Sequence, residues 1–368
     1  MSKYGEHFIK EIEIKNYKLF KDFKAKGFGR VNLIGGKNNV GKTAFMEACY
    51  LSQSENTESL FSKLLEIETH RDLVNSLLSK NERNEDIRNL IKKYIGIEIF
   101  IKGKDYYEVI REINPSGNIL SENYKEWENG LIKIEINQDI NVYTRFTKIN
   151  FYQSTSSEFN EISYPNKYSL SELIGLLDIE FESTKYKFSL NFITPYSNSN
   201  NELESIVGDC KLKEKYDVLN SDLSDIFKIK KIDIIKNKPL VNINNEWMEL
   251  SEFGQGLKSF INIVGSILLL ENNIIFIDEI ENGIHYTNFD KLWEIILTIS
   301  KEQNVQVFAT THSKECIDSF ARVAKKFEDE EIAFIELGRN KEDKVRAIVM
   351  DSQRFFRELE ANNEVRGW

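Results

Sequence analysis

Cysteine and histidine are both scarce in this chain of 368 residues, which has three cysteines and four histidines. Cys49, Cys210 and Cys316 stand far apart, without the close spacing of a zinc site or the density of a disulfide framework. We therefore expect neither a zinc site nor disulfide bonds. We expect the three cysteines to be buried as small apolar side chains.

Long hydrophobic runs are also missing. The most apolar stretch, 261–270, is interrupted by Asn262 and is far shorter than the roughly 18 residues that a membrane-spanning helix needs. The first seven residues lack the apolar core of a signal peptide. These features predict a cytoplasmic protein without a membrane partner.

Positive charge is in deficit. The formal net charge is −10, which argues against a protein that coats DNA by bulk electrostatics. One basic stretch remains, with lysines at 228, 230, 231, 236 and 238 interleaved with apolar residues. This alternation is typical of a strand with one solvated face, and direct DNA contact is the less favoured interpretation.

The most informative stretch is Gly36–Thr43, which reads Gly-Lys-Asn-Asn-Val-Gly-Lys-Thr. It lies between a β-like run at 31–34 and a helical pattern, which is the context that a phosphate-binding loop requires. The backbone N–H groups and the helix dipole would hold a polyphosphate, Lys42 would contact its outer phosphates, and Thr43 would bind Mg²⁺. The predicted nucleotide contacts are Gly36, Asn38, Asn39, Val40, Gly41, Lys42 and Thr43.

The alternation of apolar and polar residues predicts two antiparallel strands within 8–27. A long helical stretch follows at 58–95. Four further strands are predicted at 97–102, 106–113, 131–137 and 141–152, and they could extend the N-terminal sheet. We read 1–152 as an N-terminal lobe that includes the phosphate-binding loop.

The segment 153–247 is interpreted as an inserted lid or arm, with helices near 169–177 and 201–224 and a hairpin at 227–247. It has no heptad run, which excludes a long coiled-coil arm. In the C-terminal lobe, 248–368, helices alternate with strands as in a parallel sheet. The predicted helices are 257–270, 288–300 and 352–361, and the predicted strands are 274–277, 305–310, 332–337 and 345–350.

Two carboxylates end the apolar run Ile274–Ile277. Asp278 would hold Mg²⁺ through water, and Glu279 would polarise the attacking water as general base; the alternative is a surface turn. His312 follows the next predicted strand, at the same sheet edge. It could contact the γ-phosphate or the water, or it could be a satisfied core histidine.

The segment Ser251–Gly256, Ser-Glu-Phe-Gly-Gln-Gly, precedes a predicted buried helix and could form a second anion site. Two such helix ends in one chain suggest two subunits that share two nucleotides. The alternative is an ordinary serine N-cap followed by flexible glycines.

These motifs occur in the order and spacing of ABC-class ATPase heads. The chain most resembles the prokaryotic OLD-like and RecF-like branch, whose members are often labelled AAA family ATP-binding proteins. The resemblance is close over 1–52 and 248–320, and 364–366 is similar to the usual ending of that group. It implies an α/β P-loop NTPase fold of ABC type, with a mixed or parallel core sheet, an N-terminal antiparallel β subdomain and an inserted helical lid.

The resemblance implies an Mg²⁺-dependent ATPase that pairs with a second copy around ATP, as a homodimer or a higher assembly. One subunit would supply Lys42, Thr43, Asp278, Glu279 and His312, and its neighbour would supply Ser251, Gly254, Gln255 and Gly256. Gln153 fits the position of a Mg²⁺-sensing glutamine, although an ordinary loop glutamine is the alternative. Glu281, Asn282 and His285 would lie at the subunit interface, unless they simply cap helices.

The family resemblance points to a slow regulatory sensor in prokaryotic antiphage defence or DNA maintenance. It would gate a separately encoded effector, such as a TOPRIM nuclease, another nuclease or a toxin. OLD proteins often carry a TOPRIM nuclease with an Asp-x-Asp pair, and the 55 residues after Ser313 (314–368) contain no such pair. We therefore expect any DNA cleavage to depend on a partner.

Two other functions stay open. The main alternative is a RecF-type repair ATPase that binds DNA ends directly and hydrolyses ATP quickly when DNA is present. A small-molecule or nucleotide kinase is less favoured, because Ser251–Gly256 and His312 would have no role in it. The segment Ser251–Gly256 also departs from the form that the corresponding segment has in transporters, which argues against a transport function.

Overall fold

The computed structural model describes residues 5, 7–53, 63, 66–67, 190–195, 197–236 and 238–361, together with strand backbones between 98 and 152. The chain divides into two compact units. The first contains 1–5, 27–47 and 186–368, and the second contains 6–26 and 48–185. The domain boundaries at 152 and 247 stay a prediction.

The strands are, in chain order, β1 (Glu11–Tyr17), β2 (Phe20–Lys26), β3 (Val31–Gly36), β4 (Glu98–Lys102), β5 (Tyr106–Ile113), β6 (Ile119–Trp127), β7 (Ile132–Ile136), β8 (Val142–Phe146), β9 (Asn150–Tyr152), β10 (Phe192–Ile193), β11 (Lys231–Ile235), β12 (Lys238–Ile243), β13 (Glu246–Glu249), β14 (Ile274–Ile277), β15 (Gln306–Thr310), β16 (Ile332–Arg339) and β17 (Val345–Asp351). The α-helices are α1 (Lys42–Leu51), α2 (Asn200–Leu212), α3 (Tyr216–Phe227), α4 (Gln255–Leu269), α5 (Phe289–Glu302), α6 (Lys314–Lys326) and α7 (Ser352–Glu360).

The first unit is built on a six-stranded sheet in the order β10-β14-β15-β3-β16-β17. Its neighbours pair in parallel except β16 and β17, which are antiparallel. Every residue of β14 and β15 is buried, as expected for strands covered on both faces. The carboxyl ends of β3, β14 and β15 meet at one edge, where the loops that follow them form the candidate site.

Helix α4 is buried along most of its length, because apolar or small residues occupy almost its whole circumference. It contacts α2, α3 and α5. Helices α5 and α6 pack together through the rings of Trp293 and Phe320, whose centroids lie 4.6 Å apart. Among the described residues, no helix has both the length and the apolar character to cross a membrane.

The second unit contains a five-stranded antiparallel sheet in the order β2-β1-β4-β7-β8. The two strands predicted within 8–27 are confirmed, and Ile12, Ile14, Phe20 and Phe23 are buried as the alternation indicates. The predicted strands β4 and β7 do extend this sheet. The predicted strand 141–152 is instead two strands, and β8 and β9 belong to different sheets.

Several element predictions need correction. The strand β6 was not predicted, and with β5 and β9 it forms a separate antiparallel sheet. The expected helix 201–224 is two helices, α2 and α3, separated by a turn in which Glu214 has a left-handed φ of 60°. The expected hairpin 227–247 is a three-stranded sheet, β11-β12-β13. Helix α6 was not predicted either.

Some predictions lie outside the described residues. These are the helix near 169–177 and the helical stretch 58–95, apart from positions 63, 66 and 67. The predicted burial of the cysteines is confirmed for all three. Burial raises the pKa of the Cys316 thiol to about 12.

Candidate functional site

The loop between β3 and α1 has the backbone of a phosphate cradle. Gly36 and Gly41 have φ values of 144° and 99°, and Asn39 has a left-handed φ of 62°. A Cβ atom on Gly36 would lie 2.4 Å from the carbonyl oxygen of Leu337, so a side chain does not fit there. Asn38 and Asn39 are exposed, whereas Val40 is buried beneath the loop.

Lys42, the first residue of α1, is buried within this loop. Its Nζ donates to the carbonyl oxygens of Gly36, at 2.8 Å, and Lys37, at 3.0 Å. An ammonium group has three donors, so one is left for a phosphate oxygen. Burial lowers the pKa of Lys42 to about 8, against the opposing attraction of Glu281, Asp278 and Glu279.

Thr43 and Thr310 both hold the carboxylate of Asp278. Thr43 Oγ1 lies 3.1 Å from each carboxylate oxygen, and Thr310 Oγ1 donates to Oδ1 at 2.5 Å. Burial raises the pKa of Asp278 above its ordinary value, although both hydroxyl hydrogen bonds act in the opposite direction. Asp278 is therefore a partly buried carboxylate whose orientation is held by two hydroxyl groups.

The oxygen atoms of Thr43 and Asp278 fit Mg²⁺. This ion prefers hard oxygen ligands in an octahedron at about 2.1 Å, which puts neighbouring ligands about 3 Å apart. The Thr43 to Asp278 separation matches that spacing. Among the described residues, no cluster of three or more His, Cys, Asp and Glu side chains forms a metal cage. Any ion here would need further ligands from phosphate and water.

Glu279 has a strained backbone, with a left-handed φ of 51° that is uncommon outside glycine, asparagine and aspartate. Its N–H donates to Thr310 Oγ1 at 2.8 Å. The carboxylate is 45% exposed, and its Oε1 lies 3.9 Å from Nε2 of His312. Glu279 and His312 therefore face each other at the open side of the site, where water has access.

Glu281 connects the loop after β14 with the loop after β15. Its Oε1 accepts the backbone N–H of His312 at 2.6 Å. Its Oε2 is buried and has no hydrogen-bond partner among the described residues. The resemblance implies an interface position for Glu281, with helix capping as the alternative, and the contact with His312 was not predicted.

Thr310 is a site residue that was not predicted from the sequence. It joins Asp278 to the backbone of Glu279 through one hydroxyl group. A threonine at the end of a strand, directly before Thr311 and His312, was a usable signal. Its partner, however, depends on the pairing of β14 with β15.

The segment Ser251–Gly256 begins in a short 3₁₀ helix, Leu250–Glu252, and ends in the first turn of α4. Ser251, Gly254 and Gln255 are exposed. Gly256 lies against the carbonyl group of Gly283. Among the described residues, the hydrogen bond of the Ser251 hydroxyl goes to Glu249, at 3.3 Å, and none joins this segment to the phosphate loop.

The remaining predicted residues make local contacts or lie outside the described residues. His285 caps the 3₁₀ helix Tyr286–Asn288, because its ring accepts the N–H of Thr287. Asn282 donates to the carbonyl oxygen of Pro195 at 3.4 Å. An interface role for both stays a prediction. Gln153 lies outside the described residues.

Comparison with known proteins adds a family match. A family model described as an AAA ATPase domain matches residues 183–317, which include Asp278, Glu279 and His312. A relative from Helicobacter pylori, named ATP/GTP phosphatase, is 27% identical over 344 residues, which cover 86% of this chain and 88% of the relative. An uncharacterized protein of Methanocaldococcus jannaschii is 41% identical over 59 residues, covering 16% of this chain and 26% of that protein.

Solved structures similar to this chain include SMC head domains. One, an SMC head bound to the C-terminal winged-helix domain of ScpA, has a TM-score of 0.49 at 11% identity, covering 94% of this chain and 98% of that chain. Another, the SMC head domain from Thermotoga maritima, has a TM-score of 0.43 at 12% identity, covering 93% of this chain and 98% of that chain.

The central sheet with its phosphate loop is a P-loop NTPase fold. Together with the AAA ATPase domain match, it supports an ATPase of the AAA/ABC type. The OLD-like branch stays a prediction.

Proposed function

We propose that the chain binds ATP together with Mg²⁺ and hydrolyses ATP to ADP and phosphate. One observation carries this proposal: the loops after β3, β14 and β15 bring Lys42, Thr43, Asp278 and Glu279 to a single sheet edge. The Helicobacter pylori relative is named for phosphatase action on ATP and GTP, which agrees with this chemistry and makes GTP a second substrate to test.

Each residue would have a distinct task. The backbone N–H groups of the loop and the Lys42 ammonium would bind the phosphates, and Thr43 and Asp278 would hold Mg²⁺. When bound, the ion neutralises charge on the phosphate oxygens. Glu279 would accept the proton of the attacking water, since its carboxylate is accessible and held beside His312.

The experiment is a comparison of wild-type ATP and GTP hydrolysis with that of Glu279→Gln. We expect the variant to bind nucleotide with near wild-type affinity and to hydrolyse at least about 100-fold more slowly, because only the proton acceptor is removed. Glu315→Gln is the matched control, since Glu315 accepts a hydrogen bond from Ser313 at the start of α6. Wild-type turnover in Glu279→Gln would exclude Glu279 as the base.

We further propose that two copies share each nucleotide, with Ser251, Gly254, Gln255 and Gly256 facing the phosphates of the neighbour. Two features support this arrangement. The exposed segment starts a helix, where N–H groups favour anions, and Gly256 lies against the loop that follows β14.

Mixing two inactive variants tests the shared site. The Ser251→Arg variant has a disrupted Ser251–Gly256 segment, and the Glu279→Gln variant lacks the general base. A mixed dimer would contain one site with the intact base of one copy and the intact Ser251 of the other. We expect hydrolysis to return on mixing, up to about a quarter of the wild-type rate if subunits exchange freely. No recovery, with exchange verified by mass, would contradict shared sites.

A regulatory role is our preferred context for this ATPase: a sensor in antiphage defence or DNA maintenance that gates a separate nuclease or toxin. The resemblance to the OLD-like and RecF-like branch supports this role. The RecF-type alternative requires DNA contacts, and the basic stretch is partly neutralised, because Lys231 pairs with Asp233 and Lys238 with Glu249. Strong stimulation of hydrolysis by DNA ends would favour the alternative. Cytoplasmic location stays a prediction.

A further inference from the structure

The contact between Glu281 and His312 joins two loops that also meet closer to the sheet, where the N–H of Ile280 donates to the carbonyl oxygen of Thr310 at 3.0 Å. Glu281 lies in the turn after β14, and His312 lies between β15 and α6. Glu281 Oε1 accepts the His312 N–H at 2.6 Å. A carboxylate acceptor makes such a hydrogen bond stronger than a neutral one.

The neighbours of His312 are fixed in other ways. The N–H of Thr311 donates to the carbonyl oxygen of Ile34, at 3.0 Å, which ties it to the central sheet. Ser313 is the N-cap of α6, and its hydroxyl accepts the N–H of Cys316 at 3.1 Å. His312 stands between these anchors, and its backbone N–H goes to Glu281. This hydrogen bond is therefore a third restraint on the backbone from which the imidazole extends.

The second oxygen of Glu281 favours a functional role over a purely structural one. Oε2 is buried and has no donor among the described residues, which costs free energy in the folded protein. Among the three acids that attract Lys42, Glu281 has the largest effect. The carboxylate thus has an unfavourably buried oxygen, and its charge acts on the lysine of the phosphate loop.

We propose that Glu281 is a positioning residue for hydrolysis: it holds the backbone of His312 so that the imidazole stays beside Glu279. Nε2 of His312 lies 3.9 Å from the Glu279 carboxylate, a distance that a small backbone shift would change. Glu281 acts through His312 and does not itself accept the proton of water. This inference rests on the proposed ATPase function.

Kinetics of Glu281→Ala and Glu281→Gln test the role. We expect Glu281→Ala to lower kcat by about 10- to 100-fold with KM changed by less than about threefold, because the hydrogen bond orients a group used in the reaction. Glu281→Gln keeps an acceptor oxygen, so its kcat should be at least about fivefold higher than that of Glu281→Ala. The control Glu315→Ala removes a carboxylate near the same loop without touching the His312 amide.

A double variant separates positioning from an independent effect. If Glu281 acts through His312, adding Glu281→Ala to His312→Ala lowers kcat by less than about twofold beyond His312→Ala alone. If the fold-losses in kcat of the two single variants multiply in the double variant, the proposal is overturned. A Glu281→Ala enzyme with wild-type kcat would also overturn it.

Histidine amide spectroscopy gives a readout that needs no turnover. The chain has four histidines, so ¹⁵N-histidine labelling yields a simple spectrum, and His312→Gln assigns one signal by its loss. We expect the His312 amide proton to shift upfield and to exchange faster in Glu281→Ala, but to stay near its wild-type position in Glu281→Gln. An unchanged signal in Glu281→Ala would overturn the proposal.

The two proposals can fail separately. A wild-type chain that hydrolyses neither ATP nor GTP would overturn the proposed function and the positioning role with it. A wild-type chain that hydrolyses ATP, combined with an unaffected Glu281→Ala, would overturn the positioning role alone.

Discussion

Gly256, in the first turn of α4, lies directly against Gly283, in the loop that follows β14. A Cβ atom on Gly256 would come within 2.2 Å of the Gly283 carbonyl oxygen. Gly283 itself has a left-handed φ of 74°, and its own Cβ would lie 2.9 Å from the Gly256 nitrogen. The two glycines thus allow the segment 251–256 to approach the loop that contains Glu281 and Asn282.

Replacing Gly256 should therefore destabilise the fold. We expect Gly256→Ala to lower the free energy of unfolding by about 1–3 kcal/mol, because the methyl group must displace backbone atoms of Gly283. Gly254→Ala is the matched control, since its Cβ would meet no atom within 4 Å. Thermal unfolding of both variants checks this. Equal melting temperatures would show that the two loops can separate at little cost.

Thr310→Val should impair the site without disturbing the shape of the strand. Valine removes the donor to Asp278 and leaves the N–H of Glu279 without its acceptor. We expect hydrolysis to fall by about 10- to 100-fold and the Mg²⁺ requirement to rise, consistent with the loss of about 1–3 kcal/mol. A Mg²⁺ titration of hydrolysis measures both effects.

Thr310→Ser serves as the control, because it keeps the hydroxyl group and loses only a methyl group. It should retain most of the wild-type rate and Mg²⁺ dependence. If valine and serine behave alike, the hydroxyl group does not hold Asp278 in the working protein.

Asp222, on α3, should make stability depend on pH. Its Oδ2 is buried without a hydrogen-bond partner among the described residues. Burial raises the pKa of Asp222 from 3.8 to about 6, with repulsion from Asp225 and Glu302 adding to the shift and Lys291 opposing it. Between these two pKa values the folded state binds more protons than the unfolded state, so stability falls as pH rises from about 4 to about 6.

Asp222→Asn should remove that loss. We expect the variant to be about 1–2 kcal/mol more stable than wild type at pH 7.5, because solvent screens part of the burial penalty of this partly exposed side chain, and nearly equal to it at pH 4. Urea unfolding at both pH values measures the difference. Asp217→Asn, at an exposed position on the same helix, controls for the loss of one surface charge. An offset that does not vary with pH would contradict the assignment to Asp222.

Arg30 should contribute far more stability than a surface arginine. Its guanidinium is buried and donates to the Leu297 carbonyl oxygen, at 3.1 Å, while forming ion pairs with Asp329 and Glu331. Arg30→Met would remove the guanidinium donor from the Leu297 carbonyl oxygen. It would also leave Asp329, whose side chain is only 10% exposed, without its cation. We expect a loss of about 3–5 kcal/mol.

The matched control for this prediction is Arg322→Met. Arg322 pairs with Asp290, but both side chains are largely exposed, at 61% and 47%. Surface pairs of this kind contribute about 0–1 kcal/mol. Similar urea midpoints for the two variants would show that the buried cation can be replaced by an apolar side chain at no cost.

The phosphate loop and the strand-terminal carboxylates were readable from the sequence because their signals are local. Gly36, Lys42 and Thr43 lie within eight residues, and Asp278 directly follows a run of four buried residues. The contacts of Thr310 and Glu281 were not readable. They depend on which strands are neighbours, and Thr310 and Asp278 are 32 residues apart.

The missed elements have different physical causes. Strand β6, Ile-Leu-Ser-Glu-Asn-Tyr-Lys-Glu-Trp, lacks the alternation that marks a half-buried strand, and it is defined by backbone pairing with β5 and β9. Helix α6 did carry a signal, with Ile317, Phe320 and Ala324 on one buried face after the N-cap Ser313. The helix could therefore have been predicted from the spacing of these apolar residues and the serine before them.

The central position of β3 also bears on how the chain acquires its structure during synthesis. Its neighbours in the sheet are β15 and β16, and the register pairs Val31 with Val307 and Ile332. The apolar strand before the phosphate loop therefore has no sheet partners until more than 270 further residues have left the ribosome. Such long-range pairing slows folding and leaves an apolar strand exposed to misassociation. Nascent chains of this protein should thus depend on chaperones until β15 and β16 emerge.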